Sequence, residues 1–586
     1  MSTPHDNLAE QALDNLVNQF ARPLDFLREL VQNSIDAGSP RIEIRIDFRA
    51  PAQGEDTGVL QIHVDDWGEG MDEEIIDNQL TRLFSSAKEG DLTKIGKFGI
   101  GFTSIFAIQP EAVLLKTGRH GENWEILFHQ NRSYQKKRIA EPIDGTKITL
   151  FKRKHPDEIK EFVDEARFIL TYWCEHSNIP VTFWDRTKDH KSPKAPPTDD
   201  PFAAFSSPSP EQGSAATINR PLALDADLSL PIHTPDVEAI IGLEDEPRYG
   251  FYNAGLTLLS TQNTEALGDY RERLRAVSFK LKSNALEHTL TRDNVLQDEH
   301  WKRAMELLVA SRIPLTDELL KKLSEAIRTR TDYPRWQEHL ATLCRSPSLT
   351  KHVRNSADTP LFVSGLGEPL SLADIEKNAR KYGIGEPLLA GKNPTLTERL
   401  FRELKIQVVE DTPASQHLLS RFSRTGVFST TEEPPPLRSA DELFVIPEVL
   451  DPSELDEGER TLTKLTKELL YQSTNRSLYV RIGNFGGIEA SHTEALALNG
   501  PEEGGVFQRP SPHGTWRWLK SFLLTRTVLI NRNHPLFRAQ LLAATEQPWL
   551  AAAGLAAAIL HEEDLEGSRA YSTLLTLAHQ RIKAAQ

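Results

Sequence analysis

The stretch "LRELVQNSIDAG", Leu27 to Gly38, decides the first domain, because it reads as a helix with two unlike faces. At 100° per residue Glu29, Asn33 and Asp36 fall within a sector of roughly 60°, while Leu27, Val31 and Ile35 hold the opposite side. A polar stripe that narrow, flanked by apolar positions, either faces water or faces a ligand. A carboxylate one helical turn from a carboxamide has the means to activate a water, while the amide oxygen binds a hard cation such as Mg²⁺. An ordinary amphipathic helix with a solvated face fits the same residues.

Working outward, two alternating segments follow, "PRIEIRIDF" and "GVLQIHVDD", the second ending in carboxylates; both read as strands. Then comes "VDDWGEGM" (Val64 to Met71). There Asp66 closes a strand, and Gly68 and Gly70 let the backbone approach a flat ligand whose amine the carboxylate accepts, as adenine's would be. A surface turn has the same spelling. "KIGKFGIGFTSIFAI" (Lys94 to Ile108) places Gly96, Gly99 and Gly101 before an apolar helical run, an arrangement able to cradle phosphates. It is neither a Walker A loop nor a Rossmann fingerprint. In "DGTKITL", Thr146 opens a strand. Further strands are expected at "EAVLLKTG", "WEILFH" and "GTKITLFK", with helices over 8–37 and Glu158 to His176.

Taken in order, the four clusters resemble the Bergerat-type ATP-binding domain shared by DNA gyrase, heat-shock chaperones, histidine kinases and MutL. The resemblance implies an α/β sandwich with ATP between helices and sheet. It assigns Glu29 as general base, Asn33 as Mg²⁺ ligand, Asp66 as the adenine-reading carboxylate and Thr146 as its support. Gly70 and Met71 would line the adenine site; Lys88, Gly96, Lys97, Gly99, Gly101 and Phe102 would lie on the phosphate side.

Within that superfamily, "AKEG" and "IGKFGIGF" look like the ninety-kilodalton heat-shock family, including bacterial high-temperature protein G. "ELVQNSIDAGSPRIEI" leans toward MutL and MORC-type ATPases. "VSFKLKSNALEHTLTRDNVLQD" (Val277 to Asp298) is similar to the heat-shock segment that carries a catalytic arginine, here Arg292. "TVLINRNHPLFRAQLLAATEQPWLAAAGLAAAIL" (Thr527 to Leu560) resembles the bacterial C-terminal dimerisation region, although its apolar spacing equally suits an internal core. Against the family pattern, only Asp91 to Lys94 separate "AKEG" from "IGKFG", where the chaperones carry a longer lid.

The chain has 586 residues, 39% hydrophobic, and a net charge of −16, which disfavours general coating of nucleic acid. Basic runs at "QKKR" and "KRK" remain as contact patches or solvated faces. With Cys174 and Cys344 the sole cysteines, a disulfide framework is excluded and a reducing compartment, the cytoplasm, is expected. Cys174 and His176 point about 200° apart on a helix, too far to share one metal ion, and Cys174 reads as core.

The expected class is α/β (α+β). Residues 1–188 form the ATP-binding domain, 189–222 a linker rich in Pro, Ser and Ala, 223–430 an α/β middle domain, 431–460 a second linker and 461–586 a mainly helical dimerisation domain. The expected function is a homodimeric, chaperone-like ATPase that uses ATP and Mg²⁺ to act on protein clients. Two alternatives stay open: an ATP-gated DNA clamp of MutL or MORC type, and a nucleotide-sensing scaffold with little turnover.

Overall fold

Strand β1 (Ile42–Arg49) buries Ile42, Ile44, Ile46 and Phe48 and leaves the intervening residues half-exposed. That period of two requires a sheet covered on one face by helices. Its antiparallel neighbour β2 (Gly58–Asp66) pairs Ile42 with Asp66, which puts the Asp66 carboxylate at the strand's end. Strands β3 (Ala112–Arg119), β4 (Glu122–His129), β5 (Tyr134–Arg138), β6 (Thr146–Lys154), β7 (Val181–Asp185) and β8 (Ser214–Thr217) complete an eight-stranded sheet ordered β5-β4-β3-β6-β2-β1-β7-β8. This computed structural model describes residues 23–81, 100–187, 214–289, 294–381, 387–423, 437–474, 477–485, 495–500, 505–508, 527–562, 574, 576–580 and 582–584.

Helices α1 (Phe26–Asp36), α2 (Ile100–Thr103) and α3 (Ile159–Cys174) lie on one face of the sheet, where Leu27, Leu30 and Val31 join Ile105, Phe106, Val163 and Leu170 in a single core. Gly38, at φ +71°, ends α1: the amide of Ser39 donates to the carbonyl of Ser34 and that of Gly38 to Ile35. This is a Schellman close, which a residue with a Cβ adopts only under strain. The "QKKR" run forms most of edge strand β5. Its lysines are paired, Lys136 with Glu73 and Asp77 and Lys137 with Glu125. Charge on an edge strand also discourages pairing with a foreign strand.

The chain divides into two compact units, residues 1–311 and 312–586, so the division falls inside the span 223–430 expected as one middle domain. The first unit adds a five-stranded sheet in which β9 (Leu228–His233), β10 (Glu238–Leu243), β11 (Tyr249–Asn253), β12 (Leu256–Thr261) and β13 (Ser278–Lys282) lie in the order β12-β11-β13-β10-β9. In the second unit, helices Tyr333–Leu343 and Pro413–Ser423 pack together, as do Glu457–Thr474 and Pro548–Glu562. Among the described residues no helix is long and apolar enough to cross a membrane.

Both expected linkers hold folded segments. Within the expected linker 189–222, β8 pairs with β7 and Ile218 enters the core, since Ala215, Ala216 and Ile218 supply the small apolar side chains an edge strand needs. Within 431–460, residues 438–455 carry strand pairing and buried Leu443, Phe444, Val445, Leu450 and Leu455, so this stretch folds rather than links. Among the described residues of 461–586 helix outweighs strand, as expected, and the helices accompany a six-stranded sheet that draws on Phe444–Val445, Glu448–Val449, Tyr479–Asn484, Ala497–Gly500, Phe507–Gln508 and Thr527–Asn531.

Candidate active site

Glu29 is 7% exposed, whereas Asn33 and Asp36, one and two turns further along α1, are exposed. The polar stripe is therefore covered at its start and open at its end. Gly101, in α2, makes the junction: a Cβ built there would stand 3.1 Å from Glu29 Oε2 and 3.7 Å from Asn33 Oδ1. The missing side chain lets the glycine backbone lie against both groups. Asp36 instead accepts a hydrogen bond from Gln32 Nε2 at 2.9 Å and takes no part in this junction.

Asp66 organises a second cluster where β2, β3 and β6 end together. Its Oδ1 accepts from the Gly68 amide at 2.9 Å and the Thr146 amide at 3.3 Å, and its Oδ2 accepts from Ser34 Oγ at 3.2 Å. A carboxylate has about four acceptor positions, so one remains on Oδ2, suited to a single incoming N–H or O–H donor. Burial, the largest influence, pushes the Asp66 carboxyl above the usual carboxylate range; the bonds from Gly68, Ser34 and Thr146 pull the other way. Net, the charged form is held at a cost.

The turn after Asp66 needs its glycines. At Gly70 φ is +67°, and a Cβ would meet the Gly118 carbonyl oxygen at 2.1 Å; at Gly68 one would meet the Ala37 carbonyl oxygen at 2.7 Å. Met71, partly buried, packs on the core, and its amide donates to Thr117 Oγ1 at 2.9 Å. The Thr146 hydroxyl lies 3.1 Å from that of Thr117. Thr117 lies outside the four clusters, and Ser34, although inside the opening stretch, is assigned no role there. Their link to the site runs through partners 46 and 32 positions away, a separation no local pattern reports.

The Phe102 ring is 4% exposed and tilted against Phe128 at 5.4 Å, so the side chain packs in the sandwich core with Ile105 and Phe106, and only its backbone is left for the phosphate side. Beside Glu29, Arg28 stacks on the Trp173 ring at 4.2 Å and contacts His288 Nε2. Lys88, Gly96, Lys97, Gly99 and Arg292 lie outside the described residues. Cys174 is fully buried, and burial pushes its thiol up to about 12.

Glu29, Asn33 and Gly101 thus form one group and Asp66, Gly70, Met71 and Thr146 another, the two joined through α1, where Ser34 follows Asn33. Residues 24–162 match the family model described as histidine kinase-, DNA gyrase B-, and HSP90-like ATPase. Chaperone protein HtpG of Methylococcus capsulatus is 28% identical over 208 residues, which cover 30% of this chain and 31% of that protein. The HtpG of Shewanella sp. strain ANA-3 is 30% identical over 186 residues, 27% of this chain and 28% of its own. Human sacsin is 27% identical over 165 residues, 26% of this chain and 4% of sacsin. The chain therefore spans under a third of the length of these curated relatives. A crystal structure of the N-terminal domain of a DNA repair protein aligns with 52% of this chain and 96% of its own at a TM-score of 0.32 and 13% identity. Residues 24–162 are thus similar to the ATPase domains of the histidine kinase, DNA gyrase B and HSP90-like type.

Proposed function

We propose that this protein binds and slowly hydrolyses ATP to drive a conformational cycle on protein clients, in the manner of a chaperone. The observation that carries the reading is the pairing of a buried carboxylate with one acceptor position left, Asp66, and a second buried carboxylate, Glu29, against the glycine backbone of α2. Asp66 accepts the exocyclic amine of adenine, while Gly70 and Met71 offer backbone close enough for a planar base. Glu29 takes the proton from the attacking water as its oxygen approaches the γ-phosphate.

The donor set also fits a hard cation: Asn33 offers an exposed amide oxygen within a turn of Glu29. Asn33 would hold Mg²⁺, which when bound neutralises phosphate charge. In this reading Gly96, Gly99, Gly101, Lys88 and Lys97 keep the phosphate side, and Arg292 stabilises charge on the γ-phosphate. The HtpG relatives support the chaperone class, and a homodimer formed through the C-terminal region belongs to the same proposal.

Steady-state ATP hydrolysis by the wild type and by Glu29→Ala, with an unrelated denatured protein and duplex DNA added in parallel, tests it. The expected result is Mg²⁺-dependent turnover, altered by the denatured protein and lowered by roughly 10²–10⁴-fold in the variant, as for loss of a general base. Stimulation by DNA alone would replace the chaperone reading with a DNA clamp. Turnover equal in both proteins would remove Glu29 from its role.

A further inference from the structure

We propose that Thr117, which lies in none of the motifs, is a positioning residue for nucleotide binding: its hydroxyl fixes the Gly70–Met71 backbone to the Asp66–Thr146 pair that reads the base. This rests on the ATP-binding reading of the site and extends it.

A threonine hydroxyl has one proton and two acceptor positions. The Met71 amide, at 2.9 Å, fills one acceptor position of Thr117 Oγ1. Two further oxygens are in reach, the Gly145 carbonyl at 3.2 Å and Thr146 Oγ1 at 3.1 Å. The carbonyl can only accept, so the Thr117 proton goes there and the Thr146 hydroxyl donates into the second acceptor position. All three capacities are then used, on a side chain with 0% exposure. Thr146 then keeps its hydroxyl lone pairs as acceptors and its amide on Asp66 Oδ1.

The strand register makes the arrangement possible. β3 and β6 pair antiparallel with Thr117 opposite Thr146, and β2 and β6 with Asp66 opposite Thr146. Three consecutive strands thus deliver Thr117, Thr146 and Asp66 side by side at one sheet end. The turn carrying Gly70 lies directly against Gly118, the next residue of β3. Without the Thr117 hydroxyl, the Met71 amide and the Gly145 carbonyl would both lose a partner in a buried setting, and the turn would no longer be held at the height of the Asp66 carboxylate.

The experiment is ATP binding and steady-state turnover in the full-length protein for the wild type, Asp66→Asn, Thr117→Val and Thr117→Ser. Val keeps the shape and deletes the hydroxyl; Ser keeps the hydroxyl and deletes the methyl. The expected result is a rise of roughly tenfold in the Kd and KM for ATP in Thr117→Val, the size of one lost buried hydrogen bond, with kcat changed by less than about twofold and Thr117→Ser close to wild type. A role in packing alone predicts the opposite order, with Thr117→Ser impaired and Thr117→Val, which keeps the shape, close to wild type, and that order would overturn the proposal. Wild-type affinity in Thr117→Val alongside lost affinity in Asp66→Asn would overturn this inference and leave the ATP site standing. Absence of ATP binding by the wild type would overturn both. Should Thr117→Val fail to fold, hydrogen exchange at the Met71 amide of the wild type decides: slow exchange without nucleotide supports the bond, and exchange at the rate of an open loop overturns it.

Discussion

At the scale of single residues, the role proposed for Asp66 sets function against stability. Its buried carboxyl lies above the usual range, so between about pH 3.9 and that raised value the folded state binds more protons than the unfolded one. Stability therefore falls as pH rises through this window, and the deficit persists at neutral pH. In Asp66→Asn the amide oxygen still accepts from Gly68 and Thr146. The amide nitrogen donates to Ser34 Oγ, whose own proton goes to the Leu30 carbonyl at 2.9 Å. Every protein hydrogen bond survives, yet the remaining N–H points where the ligand's amine must donate. The expected outcome is a melting temperature at or above wild type, a flatter acid dependence, and ATP affinity lower by on the order of 100-fold. Thermal melts between pH 4 and 8 and a nucleotide titration check it. The glycines give a matching contrast. Gly101→Ala pushes only on the Glu29 carboxylate, 3.1 Å from the new methyl, so binding and folding persist while kcat falls by about tenfold or more. Gly70→Ala meets the Gly118 carbonyl at 2.1 Å from a positive φ, so the turn itself must move. Folding stability then drops by at least roughly 1–3 kcal/mol and binding is lost with it.

Among the elements, the end of α3 carries a buried histidine with a fixed protonation state. His176 Nδ1 lies 3.0 Å from the Arg220 carbonyl, which can only accept, so Nδ1 carries the proton and Nε2 accepts from Lys280 Nζ at 2.9 Å. Burial, first, and the nearby Lys280 and Lys282 push the imidazole below its ordinary value, while the Arg220 carbonyl and Glu175 oppose them. The unfolded chain thus binds more protons than the folded one between that lowered value and about pH 6.5, and stability falls as pH drops through this window. His176→Gln, which retains an acceptor for Lys280, should flatten that loss in denaturant titrations at pH 5 to 8. The Cys-x-His spelling shows neither the partners nor the burial, because Arg220 and Lys280 are 44 and 104 positions away. The same distinction runs through the fold. β1 and β2 were legible because apolar and polar residues alternate along both, although only in β1 does burial alternate with them; in β2 Gln61, His63 and Asp65 are buried too. The four-residue β8 and the two-residue strands at Phe444 and Glu448 were not, because they are too short to show a period and take their place from neighbours distant in sequence. In the candidate site, Glu29, Asn33 and Asp66 stand in short motifs, whereas the contacts of Thr117 and Ser34 with Met71 and Asp66 are made by folding alone.

For the whole molecule, the alanine-rich helix Pro548–Glu562 tests how the proposed dimer is made. Ala551, Ala552, Ala553, Leu555, Ala556, Ile559 and Leu560 are all buried, and they share a core with Leu462, Leu469 and Phe537 of the same chain. That spacing, equally suited to a partner or to an internal core, is largely consumed within one copy. Among the described residues of this helix and of Pro535–Ala543 before it, a second copy would therefore find Leu542 at 75% exposure and Leu550 at 43%. Because Leu542 contributes little to its own chain's core, Leu542→Asp should leave the fold intact while placing a charge in any apolar interface that covers it. If the dimer forms there, the expected result is wild-type melting together with dissociation at protein concentrations at least about tenfold higher than the wild type's, read by light scattering over a dilution series. Nucleotide binding, proposed to use Asp66 and its neighbours within one chain, would be unchanged. Turnover would fall only if ATP hydrolysis depends on two copies closing together. A variant that stays dimeric through the series would move the interface away from Leu542, and one that melts early would show this leucine to be part of its own chain's packing instead.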